Sequence, residues 1–248
     1  MTSLLFIILA SILVSSVSFA GAAFLVWKNF FSANRLTALV SFAAGVMLAS
    51  AFFDLLPEAA EMNPDIEAVF SFTFAGIVTF FLLERFVVWF HHHDHAHGKK
   101  PAALLVLIGD SLHNVIDGVA IAAAFIASPV LGITTTLAIC AHEIPQEIGD
   151  FGILVEGGYS KKKALLFNFL SGLTALVGAI LGYFFLERIE GVTWMFLSFS
   201  AGMFIYISCS DLIPELHKDF HIQRRWQQTL PFIIGVVLLW LMVRILEG

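Results

Sequence analysis

Charged side chains are scarce in this 248-residue chain: Asp, Glu, Lys and Arg make up 13% of it, against about 25% in a soluble domain. Cysteine is scarce too, because Cys140 and Cys209 are the only two and cannot form a disulfide framework. The formal charge of −6 argues against a nucleic-acid partner. Hydrophobic residues make up 59% of the chain, and the mean hydropathy is +0.90. The composition excludes a soluble enzyme and predicts an all-α polytopic membrane protein in the lipid bilayer.

Eight hydrophobic segments are long enough to cross a bilayer as helices, for which about 20 residues are needed. We place these spans at about 4–27, 35–57, 66–90, 101–127, 130–156, 161–186, 192–213 and 229–246. They leave no stretch for a soluble domain, so residues 1–248 are expected to form a single membrane domain. The first span follows no Lys or Arg, and we therefore expect it to be retained rather than cleaved as a signal peptide.

Basic residues are concentrated in the loops that follow the odd-numbered spans. These residues are Lys28, Arg35, Lys99, Lys100, Lys161, Lys162, Lys163, Lys218, Arg224 and Arg225. Because short cytoplasmic loops are enriched in Lys and Arg, we predict that these loops are cytoplasmic and that both termini are extracytoplasmic. The expected location is the cell (inner) membrane.

The predicted cytoplasmic loop after the third span, residues 91–100, is rich in histidine. Its histidines are His91, His92, His93, His95 and His97. Such a run can bind divalent metals, so the loop is a candidate for metal capture or sensing.

Residues 41–58 and 198–215 match without a gap at an offset of 157, with 8 identities in 18 positions. Since five helices separate spans two and seven, the two segments are expected to cross in opposite directions. This arrangement predicts a 3+2+3 inverted repeat, with spans four and five between the halves. Inverted repeats are typical of transporters that bind substrate near the membrane midplane.

Each matched segment ends in a carboxylate pair at i,i+4 spacing, Asp54/Glu58 and Asp211/Glu215. Both members of a pair therefore lie on one helix face. We interpret the four residues as auxiliary positions along a transport pathway or at an auxiliary metal site. The alternative is that each pair simply ends a helix at the membrane interface.

Ionisable residues are concentrated in the interiors of the two central spans. In span four, Asp110, His113, Asn114 and Asp117 follow i, i+3, i+4, i+7 and share one helix face. In span five, His142 and Gln146 share one face, while Glu143 and Glu147 lie on an adjacent one. A charged residue at a helix centre costs about 2.5–3.5 kcal/mol on insertion scales. Because it is costly to place these side chains within the membrane, their presence indicates that they contact water, protons or a bound cation.

Imidazole and carboxylate together suit zinc and other first-row divalent metals, whereas calcium and magnesium favour oxygen alone. Two facing helices could therefore form a four-ligand cage from His113, Asp117, His142 and Gln146.

Two other functional classes stay open. His142-Glu143 begins like a zinc-protease His-Glu-x-x-His motif, but residue 146 is Gln, so an intramembrane metalloenzyme is disfavoured. A proton-coupled transporter of another solute is the third reading.

The motifs of spans four and five resemble those of the ZIP (Zrt/Irt-like) metal transporters. They read His-Asn-Val-Ile-Asp-Gly at 113–118 and His-Glu-Ile-Pro-Gln-Glu at 142–147. The resemblance extends to the eight spans, the outward termini and the histidine-rich loop. It implies transport of zinc, or of iron, manganese or cadmium, into the cytoplasm, commonly by a homodimer. The metal is then cargo, and no cofactor is expected.

The same resemblance assigns His113, Asp117, His142 and Gln146 to a primary site, which Met47 approaches. Asn114 and Glu143 would contribute to a second site nearby, with Glu147 as a further candidate ligand. Two departures from the family pattern stand out. Gln146 occupies a position where many members have His, and Ala175 stands where one branch has Glu. The second departure argues against a complete second metal site.

Overall fold

The computed structural model describes residues 2–28, 33–93, 99–189, 191–218 and 225–247. All regular structure in these ranges is helical, and it forms eight continuous segments. The α-helices are α1 (Thr2–Lys28), α2 (Ala33–Ser50), α3 (Leu56–Met62), α4 (Ile66–His93), α5 (Lys99–Ala127), α6 (Pro129–Glu156), α7 (Lys161–Gly172), α8 (Thr174–Leu186), α9 (Thr193–Ile207), α10 (Ile213–Lys218) and α11 (Arg225–Glu247). The chain is thus an all-helical polytopic membrane protein.

Three of the eight segments are interrupted without losing their helical course. A π-helical turn, Ala51–Leu55, joins α2 to α3, and another, Ser208–Leu212, joins α9 to α10. Leu173 separates α7 from α8. The second segment consequently continues to Met62, beyond the end at residue 57 expected from the sequence. The helical backbone of α4 also continues to His93, into the predicted histidine-rich loop.

Six segments are long and apolar enough to cross a membrane by length and composition. They are Leu36–Met62, Ile66–Arg85, Leu107–Ala127, Lys161–Leu186, Thr193–Leu212 and Gln228–Leu246. Helix α1 adds the shorter apolar stretch Ser3–Val17. Helix α6 is less apolar because it carries three buried acids, Glu143, Glu147 and Asp150.

The closest helix contacts are made by a few pairs. Helix α5 packs on α8 and α6, α1 packs on α5, α6 and α8, α2 packs on α11, and α4 packs on α9. Small residues permit these contacts, as is common in membrane bundles. A Cβ atom on Gly118 would lie 1.9 Å from the carbonyl oxygen of Ala175, and one on Gly178 would lie 2.0 Å from that of Val115. The backbones of α5 and α8 therefore nearly touch, which holds α5 firmly in place.

The α2–α11 and α4–α9 contacts are built in the same way. Gly45 of α2 meets the backbone of Phe232, and Gly202 of α9 meets that of Thr73. In return, Gly235 of α11 meets Phe42, and Gly76 of α4 meets Phe199. Gly45 and Gly202, like Phe42 and Phe199, occupy equivalent positions in the two matching sequence segments.

Candidate metal centre

Helices α5 and α6 pack side by side and bring four potential ligands to one point. His113 and Asp117 lie one turn apart on α5, so their side chains project from the same face. His142 and Glu143 are neighbours on α6, in the turn before Pro145. His113, Asp117, His142 and Glu143, here called the central cluster, are all buried.

The ligand atoms of the central cluster lie close together. The Nε2 atom of His113 is 3.2 Å from Nε2 of His142, 3.4 Å from Oδ2 of Asp117 and 3.7 Å from Oε1 of Glu143. The Nε2 atom of His142 is 3.3 Å from Asp117 Oδ2 and 3.6 Å from Glu143 Oε1. All four ligand atoms fall within 4.8 Å of one another.

These separations match those of a tetrahedral metal site. Ligands about 2.0–2.1 Å from zinc in a tetrahedron lie about 3.3 Å from one another, close to the distances between the cluster's ligand atoms. Two imidazoles and two carboxylates would bring two negative charges to a divalent ion. The central cluster therefore has a geometry and a charge suited to zinc or another first-row divalent metal.

The surroundings of His142 prepare it to act as a ligand. Its Nδ1 atom lies 3.1 Å from the carbonyl oxygen of Ala138, one turn back on α6. A carbonyl only accepts, so Nδ1 must carry the proton, and the lone pair is left on Nε2. This nitrogen is the one that faces the central cluster. A backbone partner of this kind commonly fixes the tautomer and ring orientation of metal-binding histidines.

Gln146, the fourth ligand expected from the sequence, lies instead beside Asp110. Its Nε2 atom donates to Asp110 Oδ1 at 2.9 Å. Asn114 also donates its Nδ2 to Asp110, at 3.2 Å to the carbonyl oxygen and 3.3 Å to Oδ1. The Oδ1 atom of Asn114 is buried, with no hydrogen-bond partner among the described residues.

The remaining expected residues are distributed around this centre. Glu147 is buried, and neither of its carboxylate oxygens meets a hydrogen-bond donor in the described part of the chain. Met47 is fully buried in the hydrophobic core. Asp54 is buried and accepts a hydrogen bond from Thr134, whereas Glu58 is half-buried.

Two of the other expected positions belong to the second π turn and the helix that follows it. Asp211 is exposed beside Ser210, whose Oγ atom lies 3.2 Å from its Oδ1. Glu215 belongs to α10, but its side chain lies outside the described residues, as do those of His91, His92 and His93. His95 and His97 lie in the interval 94–98, which is also outside them.

A cavity of about 610 Å³ opens from the central cluster at His113. Its polar lining includes Asp110, Gln146, Asp150, Glu84 and Asp211. Glu84 was not anticipated from the sequence, although an acid well inside the predicted third span was a usable signal, since ionisable residues in spans mark pathways. Acidic groups that line a cavity can attract cations, so the cavity is suited to a metal ion entering or leaving the cluster.

Fold and site together define a polytopic helical membrane protein with a buried cluster of four potential cation ligands. The family model described as ZIP zinc transporter matches residues 2–102 and 90–243. The chain belongs to this family.

Several curated proteins are similar to the chain. Zinc transporter zipt-7.2 of Caenorhabditis elegans is 40% identical over 147 residues, which is 57% of this chain and 32% of that protein. Zinc transporter foi of Drosophila melanogaster is 38% identical over 152 residues, 60% of this chain and 21% of its own. Human zinc transporter ZIP6 is 40% identical over 123 residues, which is 49% of this chain and 16% of that protein. The chain spans a third or less of the length of these relatives.

Proposed function

We propose that the chain transports divalent metal cations, zinc foremost, across the membrane into the cytoplasm. The observation that carries this function is the central cluster, whose four ligand atoms are spaced for a tetrahedral ion inside a membrane bundle. The relatives named as zinc transporters support the same reading. Iron, manganese and cadmium are further candidate substrates, since the ligand set suits first-row and related divalent metals.

In this proposal Glu143 takes the fourth position that sequence spacing assigned to Gln146. Glu143 Oε1 is 3.6–3.7 Å from both imidazole nitrogens, whereas Gln146 is engaged by Asp110. Asn114, Glu147 and Gln146 then provide neighbouring oxygens as the ion moves on. Met47, which is buried in the core, is the proposed apolar neighbour of the site, and the histidines at 91–97 are proposed to receive or sense metal.

We further propose the 3+2+3 inverted repeat. The two π turns, Ala51–Leu55 and Ser208–Leu212, stand at the same offset of 157 as the matching sequences. The paired glycine contacts of α2–α11 and α4–α9 also occupy matching positions. Asp54 and Asp211 would then be equivalent residues on opposite sides of the central cluster.

The proposed arrangement in the cell has both termini extracytoplasmic and the basic loops cytoplasmic, in the inner membrane, as a homodimer. With this orientation the cavity beside Asp211 opens toward the cytoplasm, because it adjoins the predicted cytoplasmic ends of spans two, three and seven. The metal would leave the central cluster through it.

Purified protein in sealed proteoliposomes tests the function directly. Asp117→Ala and His142→Ala should each lower zinc uptake at least about tenfold, a loss of about 1.4 kcal/mol, because each removes a ligand from a low-dielectric site. Glu61→Gln, which alters an exposed acid of α3, is the matched control and should leave uptake unchanged. Normal uptake by both cluster variants would show that the cluster is not the transport site.

A further inference from the structure

We propose that Asp110 is a positioning residue that fixes the side-chain amide of Gln146 with its oxygen available to the passing cation. Resting on the proposed transport function, this role sets how well the transporter accepts oxygen-preferring cations such as Mn²⁺ relative to Zn²⁺. The observation behind this proposal is that the buried carboxylate of Asp110, beside the central cluster, accepts hydrogen bonds from three neighbouring side chains.

The carboxylate of Asp110 is almost fully occupied by donors. Ser171 Oγ donates to Oδ2 at 2.6 Å, Gln146 Nε2 donates to Oδ1 at 2.9 Å, and Asn114 Nδ2 approaches Oδ1 at 3.3 Å. Asp110 is 5% exposed. These contacts tie α5 to α6 and to the end of α7, so Asp110 lies where three helices meet.

The Oδ1 atom of Asp110 accepts hydrogen bonds from the side-chain amides of Gln146 and Asn114, and an accepting oxygen decides which way a neighbouring amide turns. The NH₂ end of Gln146 faces Asp110, so its carbonyl oxygen is the end left for other partners. Gln146 lines the same cavity as His113, on the route by which an ion reaches or leaves the cluster. With the opposite orientation it would offer N–H donors, which cannot bind a cation.

Asn114 depends less on the carboxylate than Gln146 does. Its Nδ2 also donates to the backbone carbonyl of Asp110 at 3.2 Å, and this bond would survive a change of the Asp110 side chain. For Gln146, Asp110 Oδ1 is the hydrogen-bond partner in the described structure. A change at Asp110 should therefore release Gln146 first.

The metals differ in how much they need this oxygen. Zinc keeps strong bonds to the imidazoles of His113 and His142 whatever Gln146 does, because imidazole suits zinc well. Manganese relies more on carboxylate, carbonyl and water oxygens. Loss of one oriented amide oxygen should consequently penalise Mn²⁺ more than Zn²⁺.

Asp110→Asn is the main test, because it keeps the shape of the side chain but replaces one acceptor oxygen with a donor. We expect the ratio of Mn²⁺ to Zn²⁺ uptake, measured at subsaturating metal in proteoliposomes, to fall about fivefold. Gln146→Ala should lower the ratio by a similar factor. Adding Asp110→Asn to Gln146→Ala should change the ratio no further, since interacting residues are non-additive.

Thr136→Ala is the matched control. Thr136 is a buried hydroxyl residue of α6 whose Oγ1 donates to the Gly132 carbonyl rather than to Asp110 or Ser171, so the ratio should stay unchanged. If Asp110→Asn inserts poorly, Ser171→Ala removes one anchor of the carboxylate and should shift the ratio about twofold in the same direction.

Equal losses for both metals in the Asp110 and Ser171 variants would overturn the positioning role. So would an undiminished effect of Asp110→Asn in the Gln146→Ala background. Either result leaves the transport function itself standing, provided that Asp117→Ala abolishes uptake of both metals.

Discussion

At the scale of single residues, the central question is which side chain completes the metal centre. Glu143 and Gln146 are three positions apart on α6 and therefore point in directions about 60° apart. Glu143 reaches both imidazoles of the central cluster, while Asp110 draws Gln146 away. A charged ligand contributes far more than a neutral amide to binding a divalent ion in a low-dielectric site.

Glu143→Gln should therefore impair zinc uptake more than Gln146→Ala does. The amide has almost the same shape as the carboxylate but removes one negative charge from the central cluster. We expect the glutamine at 143 to lower uptake at limiting zinc about tenfold or more, and the alanine at 146 to lower it only a few-fold. Zinc uptake curves for the two variants provide the comparison. The reverse order would return Gln146 to the first ligand position.

Sequence spacing grouped three residues of the central cluster, His113, Asp117 and His142, and their role as ligands stays a prediction. The i,i+4 rule places His113 and Asp117 on one face of α5 from sequence alone. The choice between Glu143 and Gln146 depends on the rotation of α6 about its axis and on a competitor, Asp110, on another helix. Ser171, which anchors that competitor, is an ordinary serine in the sequence and gives no signal of its role.

At the scale of elements, the two π turns mark where α2 and α9 change register. In each turn the next backbone N–H donates to a carbonyl five residues back, from Leu56 to Ala51 and from Ile213 to Ser208. A proline follows one position later in both cases, at 57 and 214. Because proline has no N–H, it cannot extend the normal i→i−4 ladder there. Single π turns inside helices are frequent at functional sites.

Pro57→Ala should weaken transport by relaxing the first π turn. The restored N–H can bond to the Phe53 carbonyl and favour regular α-helix, which would rotate Asp54 away from Thr134. We expect the maximal uptake rate to fall several-fold with little change in apparent Km, because the central cluster is untouched. Pro64→Ala, in the bend after α3, should behave as wild type. A Pro57 variant with unchanged maximal rate would mean that the turn serves packing alone.

The α5–α8 contact offers a second test at this scale. A methyl group on Gly118 would meet the Ala175 carbonyl oxygen at 1.9 Å, and backbone cannot move aside cheaply. Gly118→Ala should therefore destabilise the protein by about 1–3 kcal/mol, seen as a lower Tm in detergent.

Gly152→Ala is the matched control for this change, since nothing lies within 4 Å of its added Cβ atom. Alanine is also the better helix former by about 1 kcal/mol. Its Tm should be unchanged or slightly higher. A Tm for the Gly118 variant equal to that of the control would show that α5 and α8 can separate without cost.

The helices were more predictable than their irregularities. Long apolar runs identify spans well, because the bilayer fixes their length. The π turns and the break at Leu173 change the register by one residue or less, and no hydropathy pattern reports so small a shift. The extension of the second segment to Met62 was missed for a related reason. In the sequence Pro57 indicates the end of a helix, whereas in the structure it lies at the start of α3.

At the scale of the whole molecule, the surroundings of the central cluster are unequal on its two sides. The cavity from His113 leads past Asp110 to the exposed Asp211. Its sequence counterpart Asp54 is 3% exposed and bonded to Thr134. If the proposed inverted repeat holds, this unequal exposure of equivalent residues is the asymmetry that alternating access would require, since one side opens while the other closes.

Cysteine accessibility tests this asymmetry together with the orientation, in a background where Cys140 and Cys209 are replaced by serine. A cysteine at 211 should react with a membrane-impermeant thiol reagent in inside-out vesicles but not in intact cells, because the cavity is proposed to open to the cytoplasm. Added zinc should slow this reaction by occupying the pathway between Asp211 and His113. A cysteine at 54 should react slowly when the cavity beside Asp211 is open, and faster from outside in any condition that protects position 211. Labelling of position 211 in intact cells would reverse the proposed orientation, and parallel changes at the two positions would rule out their acting as opposite gates.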